Sequence, residues 1–178
     1  MQTFTDVWNT LMSVATIGEI IICFVFLYTL SIPTDSFSRT VRKLVHKHIL
    51  VIGFLISFAA MVGSLIYSNF IGYPPCLFCW YARIAFYPQV FLFGMALFKK
   101  DRKIIDYAIM LSVLGLVVGA YHSLIQYVGF SPLPCEAGGI SCVTREVFQF
   151  GFITIPLMGA VGFLTLLLSL IIAKKAPE

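Results

Sequence analysis

Five apolar segments, each long enough to cross a lipid bilayer, restrict this chain of 178 residues to one kind of fold. They cover residues 7–30, 49–68, 79–98, 104–128 and 152–173. A membrane-crossing helix needs about 20 predominantly apolar residues. None of the five segments shows the alternating pattern of a barrel strand. The sequence therefore predicts an all-α, polytopic membrane protein with five spans.

The composition excludes several other classes of protein. Apolar residues make up 60% of the chain and charged residues only 11%, against about 45–50% and about 25% in ordinary soluble domains. A soluble chain of this length could not bury so much apolar surface in one core. This argues against a soluble globular domain, a disordered tail and a nucleic-acid-binding protein, and it leaves the lipid bilayer as the surroundings of the chain.

The basic residues are concentrated at alternate ends of the predicted spans. Ten of the twelve lie there, namely Arg39, Arg42, Lys43, Lys47, Lys99, Lys100, Arg102, Lys103, Lys174 and Lys175. Loops rich in lysine and arginine face the cytoplasm. The predicted topology thus has the N-terminus outside and the C-terminus inside, which places all four paired cysteines on the outer side.

The first cysteine pair lies in a Pro-Pro-Cys-Leu-Phe-Cys run at residues 74–79. The two prolines favour a helix that starts directly after them. Cys76 and Cys79 would then lie at a helix N-terminus, where free N–H groups and the helix dipole stabilise a thiolate. Arg83 lies one turn further on the same face. The alternatives are a zinc half-site or a structural disulfide for the pair, and an interfacial arginine that reaches towards water for Arg83.

The second pair, Cys135 and Cys142, encloses six residues that include Gly138 and Gly139. The glycines allow the loop to turn back, so a disulfide can close an exposed, small ring that an incoming thiolate could attack. A structural disulfide is the alternative. Because both pairs fall on the predicted oxidising side of the membrane, we interpret them as a redox relay.

The motif order resembles that of the DsbB family of disulfide-forming membrane proteins, over about residues 49–173. The residues that carry the resemblance are Cys76-Leu-Phe-Cys79 with Arg83, then His122-Ser-Leu-Ile-Gln126, then Cys135 and Cys142. The short spacing of the second pair is most similar to the BdbC branch of Gram-positive type. The resemblance implies a four-helix redox domain at 49–178, preceded at 1–48 by an additional helix and a basic loop.

The resemblance also implies an activity, a cofactor, a partner and a location. The activity is thiol oxidation coupled to reduction of a membrane quinone, either ubiquinone or menaquinone. An extracytoplasmic thioredoxin-fold thiol oxidase, similar to DsbA or BdbD, would attack Cys135. Cys142 would exchange with Cys76, and Cys79 would donate electrons to the quinone beside Arg83. The protein would lie in the bacterial cytoplasmic membrane, with its redox cysteines on the extracytoplasmic face.

Three further polar residues lie within the predicted spans. His122 and Gln126 share one face of the fourth span, and we expect them to hydrogen-bond a quinone oxygen, with contacts between helices as the alternative. Glu19 is a candidate functional residue because acidic side chains within membrane spans are costly and usually serve a function. A neutral, hydrogen-bonded Glu19 without such a function fits equally. Cys23 is read as a small apolar residue. No metal is predicted; a four-cysteine zinc protein and a scaffold with structural disulfides are the competing functions.

Overall fold

The computed structural model describes residues 2–132, 135 and 140–175, and within them the chain forms helices and no β-strand. The helices are α1 (Gln2–Ser31), α2 (Ser36–Leu65, continued by a π-helical turn at Ile66–Ile71), α3 (Leu77–Lys99), α4 (Ile104–Val128) and α5 (Ile155–Lys175). All five are long and apolar enough to cross a membrane. The predicted fold class, an all-α polytopic membrane protein with five spans, is confirmed.

The second helix begins much earlier than its apolar segment. It starts at Ser36, after Asp35, whose carboxylate accepts a hydrogen bond from the backbone N–H of Phe37 at 3.2 Å as an N-cap. Residues 36–48 contain neither proline nor glycine, so their charged side chains do not interrupt the helix. The prediction that residues 31–48 form a basic loop is therefore wrong for most of that stretch. The proposed domain boundary between residues 48 and 49 falls inside α2.

Helix α5 is the most buried of the five and forms the centre of the bundle. It packs against α1, α2 and α4, while α3 packs against α2 and α4 on the far side. Phe163 on α5 is fully buried and lies against Gly115 of α4. A Cβ atom on Gly115 would come within 2.2 Å of that ring. Only glycine lets α4 approach α5 this closely, which fixes the position of α4 in the bundle.

One end of the bundle collects the basic segments. Arg42 donates a hydrogen bond to the carbonyl of Lys175 at 2.8 Å, and His46 Nδ1 donates to the carbonyl of Ala173 at 2.8 Å. Lys174 forms an ion pair with Asp106. These contacts join α2, α4 and α5 at what we call the basic end. The paired cysteines lie at the opposite end, which we call the cysteine end.

Candidate functional site

The first cysteine pair begins helix α3, as the two prolines predict. Cys76 is the N-cap residue, with an extended backbone (φ −75°, ψ 177°), and its carbonyl accepts a hydrogen bond from Trp80 N at 3.2 Å. The thiol of Cys76 donates to Cys79 Sγ at 3.3 Å. The two sulfurs are thus adjacent at the start of the helix, within reach of disulfide closure by a small side-chain rotation.

The second pair is buried against the first. Cys135 is 5% exposed and Cys142 is 1% exposed, and both belong to an apolar cluster with Cys76, Phe78 and Ile125. The Cys142 thiol contacts the side chains of both Cys135 and Cys76. The two sulfurs are therefore not exposed as expected, because side chains of α3 and α4 cover them, whereas Ser141 of the ring is exposed. The turn predicted at Gly138-Gly139 lies outside the described residues.

Burial and mutual contact keep two of these thiols protonated. The hydrogen bond with Cys79, together with burial, raises the pKa of the Cys76 thiol to about 12, although its contact with His122 acts in the opposite direction. Burial, and then the neighbouring Cys135 thiol, raise the pKa of Cys142 well above its usual range. Cys76, Cys79 and Cys142 are free thiols in this structure. In this state Cys76 therefore acts as a hydrogen-bond donor to Cys79.

His122 lies where the two cysteine pairs meet. Its Nε2 atom is 3.6 Å from Cys76 Sγ and 3.2 Å from the carbonyl oxygen of Cys142. Because a carbonyl oxygen can only accept, Nε2 carries the proton in that contact. Gln126, one turn further along α4, donates to the carbonyl of Thr144 at 2.8 Å. The two α4 residues thus hold the segment after Cys142 against the bundle. Their binding of a quinone oxygen stays a prediction.

Arg83 is fixed in place by α2 and by its own helix. Its Nε donates to Ser64 Oγ at 3.0 Å and its Nη2 to the Ser64 carbonyl at 3.3 Å. The guanidinium also lies over the ring of Trp80, 5.0 Å from the ring centroid. These contacts hold the half-buried guanidinium against α2 and Trp80. Ser64 carries no sequence signal for this role, because the contact joins two helices.

A cavity of about 510 Å³ opens beside the first cysteine pair and is lined mainly by apolar side chains. Its walls include six of the seven predicted site residues: Cys76, Cys79, Arg83, His122, Gln126 and Cys142. The remaining one, Cys135, is described by the structure but does not line the cavity. Glu19 of α1 lines it as well. An apolar cavity with a few convergent polar groups is the usual form of a small-molecule site.

Two features of the site were not predicted from the sequence. Arg145 donates from Nε to the carbonyl of Gln126 at 2.8 Å and from Nη2 to that of Tyr127 at 3.3 Å, so it caps the end of α4. Because α4 ends at Val128, well before Arg145 in the sequence, no local signal predicts this cap. The second feature is that α1 contributes a wall of the cavity. That contribution follows from packing between helices, which the sequence pattern does not encode.

Three residues of the site form a potential metal-binding group. The ligand atoms of Cys76, Cys79 and His122 lie within 4.8 Å of one another. Thiolate and imidazole ligands suit zinc, which takes four of them in a closed tetrahedral site. This group combines two of the paired cysteines with a histidine, and so it differs from the four-cysteine site considered above.

Residues 46–173 match the family described as "Disulfide bond formation protein DsbB". The chain is 36% identical to "Probable disulfide formation protein C 2" of Bacillus anthracis over 129 residues, which cover 72% of this chain and 92% of that protein. It is 39% identical to "SPbeta prophage-derived disulfide bond formation protein B" of Bacillus subtilis (strain 168), over 72% of this chain and 89% of that protein. "Disulfide bond formation protein C" of the same strain is 34% identical, with 67% and 88% covered. No solved structure matches the chain.

Proposed function

The chain belongs to the family of disulfide bond formation protein DsbB, and on that premise we propose that it passes electrons from an extracytoplasmic thioredoxin-fold protein to a membrane quinone. One observation carries the proposal. The Cys142 thiol contacts Cys76, whose partner Cys79 lines the large apolar cavity. A continuous path of sulfur contacts therefore runs from the second pair to a site suited to a small apolar ligand.

The first half-reaction takes electrons from the protein partner. A partner thiolate attacks Cys135 Sγ of the Cys135–Cys142 disulfide, and Cys142 leaves as the thiolate. The second partner thiol then resolves this mixed disulfide. The partner gains a disulfide, and Cys135 and Cys142 become thiols. Cys135 is only 5% exposed, so the partner has to displace covering side chains before it reaches the sulfur.

Exchange between the two pairs follows from their contact. Cys142 attacks Cys76 of a Cys76–Cys79 disulfide and releases the Cys79 thiolate, and Cys135 then resolves the Cys142–Cys76 bond. This restores the Cys135–Cys142 disulfide and leaves Cys76 and Cys79 reduced. His122 Nε2, 3.6 Å from Cys76 Sγ and 3.2 Å from the Cys142 carbonyl, orients both attacking and attacked residues.

The cavity residues suit a quinone head group. A volume of about 510 Å³ is in the range of sites for small organic ligands, and the apolar walls match a ring with an isoprenoid tail. Arg83 and His122 supply donors for carbonyl oxygens. A bound quinone supplies the capacity to accept two electrons and two protons. The Cys76–Cys79 dithiol releases that number when its disulfide forms, so the overall reaction is balanced.

The placement of the basic residues supports the orientation. The segments that contain ten of the twelve basic residues meet at the basic end, and by the positive-inside rule that end faces the cytoplasm. The cysteine end then faces the oxidising side, where its protein partner would be found. We assign the protein to the bacterial cytoplasmic membrane on this basis, with α2–α5 as the four-helix redox domain and α1 as the additional helix.

The test uses the purified full chain in lipid nanodiscs that contain ubiquinone or menaquinone. A reduced thioredoxin-fold protein with a CxxC motif is added, and its thiols and the quinone absorbance are followed together. We expect two partner thiols to be lost per quinone reduced. Cys76→Ser and Cys79→Ser should each lower turnover by at least about 1,000-fold, because the relay then lacks an exchangeable sulfur.

The fifth cysteine provides the matched control. Cys23 lies on α1, its sulfur is 3.2 Å from Thr165 Oγ1, and it does not line the cavity. Cys23→Ser keeps the hydrogen-bonding group and should turn over like the wild type. Full activity in Cys79→Ser, or the absence of quinone reduction by the wild type with either quinone, would contradict the proposed function.

A second candidate function is zinc binding, which the group formed by Cys76, Cys79 and His122 favours. Cys142 contacts Cys76 and could supply a fourth ligand. Elemental analysis of the reduced protein, combined with thiol titration, separates the two functions. Zinc at one equivalent, with these thiols protected until a chelator is added, would favour the metal site. Freely titrating thiols without zinc would favour the redox relay.

A further inference from the structure

Helix α1 lies outside the residues that match the family, which begin at residue 46. It nevertheless forms part of the cavity wall through Trp8, Met12, Thr16 and Glu19. These positions recur at intervals of three and four residues, so they form one stripe along the helix. A single face of α1 is therefore turned towards the cavity that Cys79 also lines.

Contacts on both sides hold α1 in this position. Towards α5, Cys23 Sγ lies 3.2 Å from Thr165 Oγ1. Towards α2, the rings of Trp8 and Tyr67 meet edge to face with centroids 6.4 Å apart. Met12 lies against Gly63, where an added Cβ would come within 3.1 Å of its methyl carbon. Helix α1 therefore bridges α2 and α5 and closes the cavity on that side.

Glu19 is the acidic group on this face, and it points towards α5. A Cβ atom on Gly162 would lie 3.9 Å from Glu19 Oε2. Among the described residues, Glu19 makes neither a hydrogen bond nor an ion pair. The ion pair that these residues do form joins Lys174 to Asp106 at the basic end. At membrane depth a carboxyl group without a cationic partner favours the neutral acid, which can donate a hydrogen bond.

The cavity thus has donors on two separate helices. Arg83 is held on α3 by its bonds to Ser64, and Glu19 comes from α1, further from Arg83 than an ion pair would allow. A quinone carries two carbonyl oxygens on opposite sides of one ring. A pair of donors on different walls matches that arrangement, because each can bond one oxygen.

We propose that α1 is an integral wall of the quinone site and that Glu19, as the neutral acid, donates a hydrogen bond to one of the two quinone oxygens. The proposal rests on the proposed function, since it specifies how the acceptor of the redox relay is bound. It assigns a role to the helix that the family match leaves out. Glu19 is then a quinone-binding residue, and the electrons still come from Cys79.

The two tryptophans allow binding to be measured without turnover. The chain contains only Trp8 and Trp80, so Trp80→Phe leaves Trp8 on α1 as the single tryptophan. Decylubiquinone and menadione are added to this protein in nanodiscs, and Trp8 fluorescence is recorded. Because Trp8 lines the cavity, a bound quinone should quench its emission in a saturable way.

Glu19 is then replaced in the same background. Glu19→Leu removes the donor and should raise the quinone dissociation constant about 5- to 10-fold, the loss expected for one hydrogen bond. Glu19→Gln retains an N–H donor and should stay within about twofold of the parent. Asp6→Asn, an acid-to-amide change at an exposed position of the same helix, should leave binding unchanged. In turnover, Glu19→Leu should raise KM for quinone and leave kcat nearly unchanged.

The outcomes separate this inference from the proposed function. Normal turnover by the wild type combined with unchanged affinity in Glu19→Leu would overturn the role of Glu19 alone. Normal turnover without quenching of Trp8 would overturn the assignment of α1 to the quinone site. Neither quinone binding nor quinone reduction by the wild type would overturn the proposed function, and this inference with it.

Discussion

The two cysteine pairs touch each other, yet different kinds of structure position them. Cys76 and Cys79 begin helix α3, so their geometry follows from a regular backbone. Cys135 and Cys142 belong to the connection between α4 and α5, and side-chain contacts from α4 hold the part after Cys142. Both residues of the helical pair line the apolar cavity, whereas in the loop pair Cys142 lines it and Cys135 does not.

The proposed function gives each pair a different partner, and this difference supports that division. A rigid helix start next to an apolar cavity suits a small lipid-borne molecule, which needs a fixed geometry for electron transfer. A pair in a loop suits exchange with a protein, because a loop can be displaced to expose a sulfur. In the proposed function, Cys79 serves the quinone and Cys135 serves the protein partner, and each claim can be tested separately.

The largest effects should come from breaking one pair at a time. Cys79→Ser should abolish quinone reduction, by at least about 1,000-fold, because no second sulfur remains to close a disulfide beside the cavity. Its Cys135–Cys142 disulfide should still oxidise one equivalent of the thioredoxin-fold partner. Cys135→Ser should show the reverse behaviour, with no partner oxidation but one round of quinone reduction after treatment with a small dithiol.

Stoichiometry in a single turnover distinguishes these outcomes. Partner disulfide and reduced quinone are each quantified per mole of protein after acid quenching. The division of labour between the pairs would be wrong if Cys135→Ser supported repeated partner oxidation, or if Cys79→Ser and Cys135→Ser failed at the same half-reaction.

A cavity-filling substitution should affect only one half of the relay. Gly159 of α5 lines the cavity, and a Cβ atom built on it meets nothing within 4 Å. Gly159→Leu should therefore fold and place its side chain in the space assigned to the quinone. We expect quinone affinity to fall by at least about 10-fold, because the added side chain removes a few contacts that contribute to the binding free energy.

Thiol exchange is the internal control for that substitution. A single round of partner oxidation, which needs no quinone, should proceed at the wild-type rate in Gly159→Leu. Gly159→Ala, which adds one carbon, should change both measurements by less than about twofold. An unchanged quinone affinity in the leucine variant would show that the quinone binds outside this cavity.

Two of the reduced thiols, Cys142 of the loop pair and Cys76 of the helical pair, should respond to pH differently from an ordinary cysteine. Alkylation requires the thiolate, whose fraction rises about tenfold per pH unit until the pH reaches the pKa. A free cysteine, with a pKa of about 8.5, levels off above about pH 9. Because burial raises the pKa of Cys142 and the pKa of Cys76 is about 12, their iodoacetamide reaction rates should still rise between pH 9 and 11. Mass spectrometry of the labelled peptides follows each site.

The same chain, denatured in detergent, is the reference for this measurement. There both cysteines should level off near pH 9, like a free thiol. A plateau below pH 10 for Cys142 in the folded protein would mean that its thiol is neither buried nor in contact with its neighbours. The contact between the two pairs, on which the exchange step depends, would then be contradicted.

Local sequence signals predicted the parts of this molecule that depend on neighbouring residues. The five spans followed from apolar length alone, and the start of α3 followed from Pro74 and Pro75. The early start of α2 was missed because apolarity marks the membrane-crossing part of a helix and not its full length. Asp35, which caps α2, is the local signal that was available for it.

Contacts between distant segments could not be predicted in this way. The burial of Cys142 depends on Phe78 and Ile125, which belong to two other helices. The bonds from Arg83 to Ser64 and the place of Glu19 in the cavity depend on how α1, α2 and α3 pack together. Residue type identified Glu19, Arg83 and His122 as candidates, but the contacts that each side chain makes are set by how the helices pack.

The smallest predicted effect concerns how firmly the loop pair is held. Arg145 bonds the last carbonyls of α4 and lies over the ring of Phe148, 5.0 Å from its centroid. Arg145→Gln removes the charge and most of these contacts, so amide exchange in residues 140–147 should quicken. Partner oxidation should change by about threefold, because a helix C-cap and an exposed cation–π contact each contribute about 0.5–1 kcal/mol.

Arg39→Gln, at an exposed position of the basic end, is the matched control and should change neither amide exchange nor partner oxidation. Arg145→Lys keeps the charge but not the forked donor geometry, so wild-type behaviour in the lysine variant would assign the effect to charge. If Arg145→Gln instead reduced quinone affinity and left the loop unchanged, the residue would belong with the helical pair, and the division between the two pairs would have to be redrawn.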